Sequence, residues 1–153
     1  MKSLFLGIAV LAGCGASDVD GSSKAEASIT GFMGGTVTGT AMFTQSGADV
    51  TVTITLDGCT AGKSYPVHIH TGPACTDMTS QGGHWDMTRG EGIPLIACTG
   101  TQGTSTLTRP ATDATLAWSI GGEAATDVIG HLIVVHDADT PTMRIGCGAI
   151  AAM

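Results

Sequence analysis

Short runs in which apolar and polar residues alternate recur along the chain, and Gly, Asp and Ser separate them. A period of two is typical of strands that bury one face, and no long stretch shows the period of an amphipathic helix. The runs predict strands at residues 28–33, 36–44, 49–56, 65–70, 104–108, 115–120, 131–136 and 143–150. We therefore expect an all-β fold of eight antiparallel strands, arranged as a Greek-key β-sandwich or flattened barrel.

The first residues of the chain follow a different pattern. Lys2 precedes an apolar run at residues 4–11, and the sequence LAGC at residues 11–14 resembles a bacterial lipobox. Residues 1–13 are therefore predicted to be a lipoprotein signal peptide, whose removal leaves Cys14 as the lipidated first residue. The alternative is an ordinary secretory signal with an incidental cysteine. The apolar run is too short to span a bilayer, which takes about 20 residues.

Residues 14–27 are small and polar and have no apolar periodicity, so we expect a flexible tether between the lipid and a domain at residues 28–153. This organisation predicts membrane attachment through the N-terminal lipid anchor. The expected location is the bacterial cell envelope, on the periplasmic side or on the outer-membrane or extracellular face.

The chain is acidic and carries few charges. Its formal net charge is -7 at pH 7, and only 12% of its residues are charged. A surface of this kind argues against binding to nucleic acid. The oligomeric state is not fixed by the sequence, and a monomer is slightly favoured.

Histidines provide the candidate chemistry. His68 and His70 alternate with apolar neighbours, so both imidazoles are expected on one face of a strand. His84 follows a Gly-rich loop, and His136 ends the apolar strand HLIVV. Four imidazoles without a thiolate favour a borderline divalent ion, and copper heads the affinity order. Taken singly, each is as well explained as an ordinary strand or loop histidine.

Several motifs occur in a fixed order along the chain: HIH, a Cys-bearing loop ending in TSQGGHWD, GHLIVVHDAD and MRIGCGAI. This set resembles the copper-zinc superoxide dismutase family. The resemblance implies the family's eight-stranded Greek-key barrel and a dismutase that converts superoxide to oxygen and hydrogen peroxide. It also implies copper ligation by His68, His70 and His136, a metal-bridging role for His84, and an anion-binding role for Arg144.

The zinc half of the family's site is missing from the sequence. Residues 85–97, where the family supplies further zinc ligands, contain no histidine. We therefore expect a copper-only site without zinc. The second ring nitrogen of His84 then needs another partner, for which Asp86, Glu91 and Asp139 are the candidates.

Cysteine usage indicates an oxidising compartment. If Cys14 carries lipid, the four remaining cysteines are Cys59, Cys75, Cys98 and Cys147, and they allow three pairings. The family resemblance implies a Cys75 to Cys147 disulfide, which leaves Cys59 to pair with Cys98. Two disulfides in a small domain are typical of proteins outside the cytoplasm.

The acidic net charge repels the superoxide anion, so attraction must come from local positive charge. Arg144 is the first candidate, with Lys63 and Arg89 as helpers, and His131 is expected to be structural. The alternative function is a non-catalytic copper or haem binding module on the same fold. The methionines do not favour it, because they are scattered along the sequence without Met-x-x-Met spacing.

Overall fold

The computed structural model describes residues 23–86 and 88–153. The predicted signal peptide, Cys14 and most of the predicted tether lie outside this range. The described residues form no helix, and hence none that could cross a membrane. They form ten strands: β1 (Lys24–Gly31), β2 (Thr38–Ser46), β3 (Asp49–Asp57), β4 (Ser64–Tyr65), β5 (Val67–His70), β6 (Ile96–Thr99), β7 (Gln102–Arg109), β8 (Leu132–His136), β9 (Arg144–Ala149) and β10 (Ala151–Ala152).

The strands form one antiparallel sheet that curls into a nearly closed barrel. Its order is β4-β6-β7-β3-β2-β1-β9-β8-β5, and the short β10 pairs with β1. The first and last strands of this order, β4 and β5, are consecutive in the chain and are separated only by Pro66. The predicted all-β antiparallel barrel is confirmed. The strand count differs from eight partly because Pro66, which has no N–H to donate, divides the predicted strand at residues 65–70.

The first strand begins earlier than predicted. Lys24 already pairs with Thr44 on β2, and Ala25 and Ala27 are fully buried. The last residues of the expected tether therefore belong to the sheet, and the folded domain begins before residue 28. In β1 the buried residues are alanines that alternate with charged and polar residues, and this gives only a weak apolar signal in the sequence.

The predicted strand at residues 115–120 is wrong. Within it the structure shows a single isolated bridge, between Ser119 and Asp127, because Asp113 caps a turn by accepting hydrogen bonds from the backbone N–H and hydroxyl of Thr115. Trp118 is buried in spite of this, since the loop packs its indole against Phe43. A strand that was not predicted, β6, lies upstream and supplies Cys98.

The strand β8 is buried on both faces. Ile133 and Val135 point into the main core, whereas Leu132 and Val134 pack in a second cluster with Phe32 and the Cys75–Cys147 disulfide. The loop between β5 and β6 covers this outer face. A protected site outside the barrel wall is the result.

The structure contains the Cys75–Cys147 disulfide that the family resemblance implies, and the two remaining cysteines, Cys59 and Cys98, form the second. Cys75–Cys147 ties the covering loop to β9, and Cys59–Cys98 ties the end of β3 to β6. On the chain-entropy model, closing loops of these lengths stabilises the folded state by roughly 4 kcal/mol each. The covering loop is therefore held to the barrel covalently as well as by hydrogen bonds.

Candidate metal centre

Three of the candidate histidines lie on the outer face of the barrel because of the register between β5 and β8. His68 pairs with Val134 and His70 pairs with Leu132, and paired residues share a face of the sheet. His136 continues the same outward phase two residues after Val134. A register shift between Val135 and His136 leaves Ile145 of β9 unpaired and places His136 opposite Arg144.

The fourth histidine reaches the cluster from the covering loop. His84 forms an isolated antiparallel bridge with His70, so its backbone is fixed to the end of β5. The next residue, Trp85, donates its N–H to the carbonyl of Ile69 at 2.7 Å. Gly90 closes the turn by accepting from Ile69 N–H at 3.0 Å, and a β-carbon at Gly90 would lie 2.5 Å from the Ile69 oxygen. The backbone alone thus sets where His84 projects.

The structure brings His68, His70, His84 and His136 into one cluster. One ring nitrogen from each lies within 4.8 Å of the others. The Nε2 atoms of His70 and His136 are 3.3 Å apart, and the His68 and His84 ring centroids are 4.2 Å apart. Such convergence of imidazoles without intervening side chains fits a metal site.

The protein fixes one nitrogen of each ring and leaves the other facing the cluster. His70 Nδ1 donates to the carbonyl of Gly82 at 3.2 Å, and His136 Nδ1 donates to the carbonyl of Pro141 at 2.7 Å. Both rings are therefore held as tautomers whose Nε2 atom is free to accept. Backbone partners of this kind orient the histidine ligands of metal sites.

Glu91 holds the remaining two rings. Its Oε1 accepts from His84 Nδ1 in a very short hydrogen bond, and its Oε2 lies 3.2 Å from His68 Nε2. Of the three acids considered for His84, Glu91 is the one that contacts it. The inward nitrogens are then His68 Nδ1 and His84 Nε2.

The other two acids have different partners. Asp86 accepts hydrogen bonds from the backbone N–H of Thr88 and Arg89 and pairs with the Arg89 guanidinium at 2.9 Å. Asp139 is exposed and forms an ion pair with Lys63. These contacts also occupy the two cations that were considered as helpers for anion attraction.

Burial lowers the pKa of three of the four clustered rings and so favours their neutral form. It lowers the pKa of His70 to about 3, and burial followed by the charge of neighbouring His68 lowers the pKa of His136 to about 4. The pKa of His68 is lowered by burial and then by His84, against the opposing effect of Glu91. Neutral imidazole is the form that binds metal ions.

Arg144 lies beside the cluster and holds the covering loop. Its Nη1 donates to the Met78 carbonyl at 2.8 Å and to Gln81 Oε1 at 3.2 Å, and its Nη2 donates to the Gly82 carbonyl at 2.8 Å. Gly82 also accepts from His70, so one carbonyl links the arginine to the cluster. The guanidinium therefore combines a local positive charge with a structural role that its sequence position did not reveal.

A buried arginine that the sequence reasoning missed positions Glu91. Arg109 is 7% exposed, donates to the backbone carbonyl of Glu91, and stacks its guanidinium 5.3 Å from the ring centre of Trp118. The alternation along β7 could have identified Arg109 as buried, because it lies in the inward phase of the strand together with buried Gly103 and Ser105. His131, expected to be structural, stacks on Trp85 at 4.1 Å and lies outside the cluster.

Comparison with known proteins identifies the family. Residues 37–150 match the model of the copper/zinc superoxide dismutase family (SODC). The chain belongs to the copper/zinc superoxide dismutase family. Among solved structures, it resembles a mutant of superoxide dismutase 5 from Candida albicans with a TM-score of 0.63 and 17% identity, over 86% of this chain and 90% of that one. No curated protein sequence matches the chain significantly.

Membership in this family implies copper, and the donor set fits that ion. The Nδ1 atom of His68 is buried and has no hydrogen-bond partner in the protein, which is costly unless another group binds it. The four converging nitrogens are all imidazole, a ligand type that suits copper. Family and fold together support superoxide dismutase activity.

The lowered histidine pKa values predict how the metal-free protein responds to acid. Below the ordinary pKa of 6.5 the unfolded chain protonates His70 and His136, whereas the folded chain does so only near 3 and 4. The unfolded state thus binds more protons in this window, and stability falls as the pH drops from 6.5 toward 4. Each ring contributes up to about 1.4 kcal/mol per pH unit.

Urea unfolding of the metal-free protein between neutral and mildly acidic pH measures this loss. The matched variant His136→Gln removes one of the two groups, so its unfolding free energy should depend less steeply on pH. Equal slopes in the two proteins would contradict the assignment of the pH dependence to the cluster.

Proposed function

We propose that the protein is a copper-only superoxide dismutase attached to the bacterial cell envelope. The observation that carries the copper-only assignment is the contact between Glu91 and His84 Nδ1. By family resemblance that nitrogen is the one facing zinc, and here a carboxylate of the chain itself occupies it. A structural zinc site takes about four ligands, and one carboxylate with one histidine does not supply them.

The reaction consumes two superoxide anions and two protons and yields one oxygen molecule and one hydrogen peroxide molecule. Copper held by His68, His70, His84 and His136 would supply the one-electron couple that accepts an electron from the first superoxide and returns it to the second. The protein has to bind this ion, attract a small anion and deliver protons. No side chain has to act as a nucleophile.

His84 and Glu91 are proposed to deliver a proton. Glu91 fixes the Nδ1 proton of His84, so the only ring nitrogen that can exchange a proton at the cluster is Nε2. When that nitrogen is free it can hold a proton and pass it to the peroxide that leaves. His84 is 30% and Glu91 31% exposed at the side chain, which gives water access for proton replacement.

Arg144 is proposed to attract superoxide. Its guanidinium stays protonated and lies beside His70 and His136, and it is half-buried, so its charge is screened less than that of an exposed lysine. The two other nearby cations are paired with Asp139 and Asp86. Arg144 therefore provides the local attraction that opposes the negative net charge of the chain.

The proposed location rests on the sequence and on the disulfides. Residues 1–13 and Cys14 have the pattern of a lipoprotein signal and lipidation site. The Cys59–Cys98 and Cys75–Cys147 disulfides are typical of an oxidising compartment such as the periplasm or the cell exterior. A lipid anchor would keep the enzyme at the membrane, where extracellular superoxide arrives.

The proposal is tested by stopped-flow measurement of superoxide decay, with copper and zinc counted in the same purified sample. We expect one copper and no zinc per chain, and a rate constant that approaches the diffusional ceiling, on the order of 10⁹ M⁻¹s⁻¹. Tight copper binding with decay at the background rate would instead favour the non-catalytic copper or haem binding module.

Replacement of Glu91 tests the copper-only assignment. Glu91→Ala leaves His84 Nδ1 and His68 Nε2 without their acceptor, so both copper retention and dismutation should fall about 10- to 100-fold. Competition with a copper chelator and stopped flow measure the two effects. The control is Glu123→Ala, which removes an exposed carboxylate elsewhere. Unchanged retention in Glu91→Ala would exclude Glu91 from the proposed role.

Charge removal at Arg144 tests the attraction of superoxide. Arg144→Gln should lower the rate constant about tenfold and flatten its dependence on ionic strength, while Arg144→Lys keeps the charge and most of the rate. Copper content should remain one per chain. Arg89→Gln, which removes a cation already paired with Asp86, serves as the control. A salt dependence in Arg144→Gln equal to that of the unaltered protein would refute this role.

A further inference from the structure

Three methionines that are far apart in the sequence meet at one pocket beside the histidine cluster. Met33 lies in the turn after β1, Met78 in the covering loop and Met143 just before β9. Together with Thr142 and Arg144 they line a surface pocket of about 360 Å³. Nothing in the spacing of the methionines indicates this grouping, because it arises only when three separate loops fold together.

The three thioethers are held at the surface although exposure of apolar side chains is unfavourable. Met33 is 72%, Met78 44% and Met143 53% exposed, and they are three of the five large hydrophobic side chains exposed in the described part of the chain. Met33 also has a φ of 49°, in the left-handed region that favours glycine. Strained backbone of this kind is concentrated at functional positions.

We propose that this methionine pocket, defined by Met33, Met78 and Met143, binds Cu(I) and passes it to the histidine cluster. Thioether sulfur is a soft ligand that selects Cu(I) over the harder divalent ions. Methionine side chains have three rotatable bonds and are exposed here, so their sulfurs are free to turn toward a common ion. The transfer part of this inference rests on the proposed function, whereas binding does not.

Arg144 connects the pocket to the cluster. Its side chain lines the methionine pocket, and its Nη2 contacts the Gly82 carbonyl that also accepts from His70 Nδ1. On β9 it pairs with His136, and Met143 precedes it directly. The pocket and the histidine cluster therefore both adjoin Arg144.

The geometry of the two sites favours transfer over storage. The three methionine side chains are flexible and exposed, and fixing them around an ion costs conformational entropy. In the cluster, one ring nitrogen from each of the four imidazoles already lies within 4.8 Å of the others. Cu(I) should thus bind more weakly in the pocket than among the four imidazoles, as transfer to the cluster requires.

Binding is tested with Ag(I), a soft ion that does not change oxidation state under these conditions. The protein carries one reduced copper per chain and methionines labelled with ¹³C at the methyl group, and single Met→Leu variants assign the signals. On titration with Ag(I), the methyl signals of Met33, Met78 and Met143 should move together and saturate at one equivalent. Met153, 70% exposed and next to the opposite end of β1, should not move. Equal movement of Met153, or no movement at all, would overturn the proposed site.

Transfer of Cu(I) from the pocket to the cluster is tested by the rate at which the metal-free protein takes up copper. The metal-free protein receives Cu(I) from a chromogenic chelator, and the chelator absorbance reports the rate of copper loss to the protein. Changing Met33, Met78 and Met143 together to Leu should slow loading about tenfold, because local capture is lost, while the final copper content stays at one per chain. Met153→Leu is the matched control.

The outcomes of the two tests are distinguishable. Identical loading rates in the triple variant and the control would refute transfer. Ag(I) saturation of the pocket in a protein whose histidine cluster takes no copper would refute the proposed dismutase and retain the methionine site.

Discussion

The register between β5 and β8 is the constraint on which the site depends. It places His68 and His70 opposite Val134 and Leu132, on the outer face of the barrel, and carries the outward phase of β8 on to His136. A slip of one residue would turn all of these side chains to the other face and send imidazoles into the apolar core. The burial of Ile133 and Val135 in that core prevents the slip. The same strand pair therefore determines both the core packing and the site geometry. The covering loop adds His84 to an outer face on which the other three histidines are already placed.

Within the cluster, the chain uses its own groups to fix the outer nitrogen of every ring. Two backbone carbonyls hold His70 and His136, and Glu91 holds His68 and His84. A carboxylate shared by two rings links the strand β5 to the covering loop through side chains as well as through the backbone. Arg109 holds the residue that carries this carboxylate, because its guanidinium donates to the backbone carbonyl of Glu91. The ring orientations therefore follow from the fold itself.

Alternation along the sequence predicted the all-β barrel, and the family motifs identified the four histidines as candidates and implied the Cys75–Cys147 disulfide, which left Cys59 and Cys98 to pair with each other. Prediction from the sequence failed where the outcome depends on contacts distant in the chain. Residues 115–120 alternate like a strand, but the side chain of Asp113 captures the backbone as a turn. Glu91 could not be ranked above Asp86 because the path of their loop is set by Arg109, which comes from β7. The methionine pocket could not be predicted from the sequence, since its three methionines come from three separate loops.

Pro66 gives the barrel a property that the strand list alone does not show. Because it joins β4 to β5, the two ends of the open sheet are neighbouring pieces of one chain segment, and its carbonyl accepts from His136 N–H at 2.8 Å, which extends the pairing of β5 with β8. The segment that closes the barrel is thus the one that carries His68 and His70. An ion bound by these two rings together with His136 would cross-link β5, the last strand of the open sheet, to β8. The metal would then reinforce a pairing that the backbone already makes, at the strand where the sheet ends.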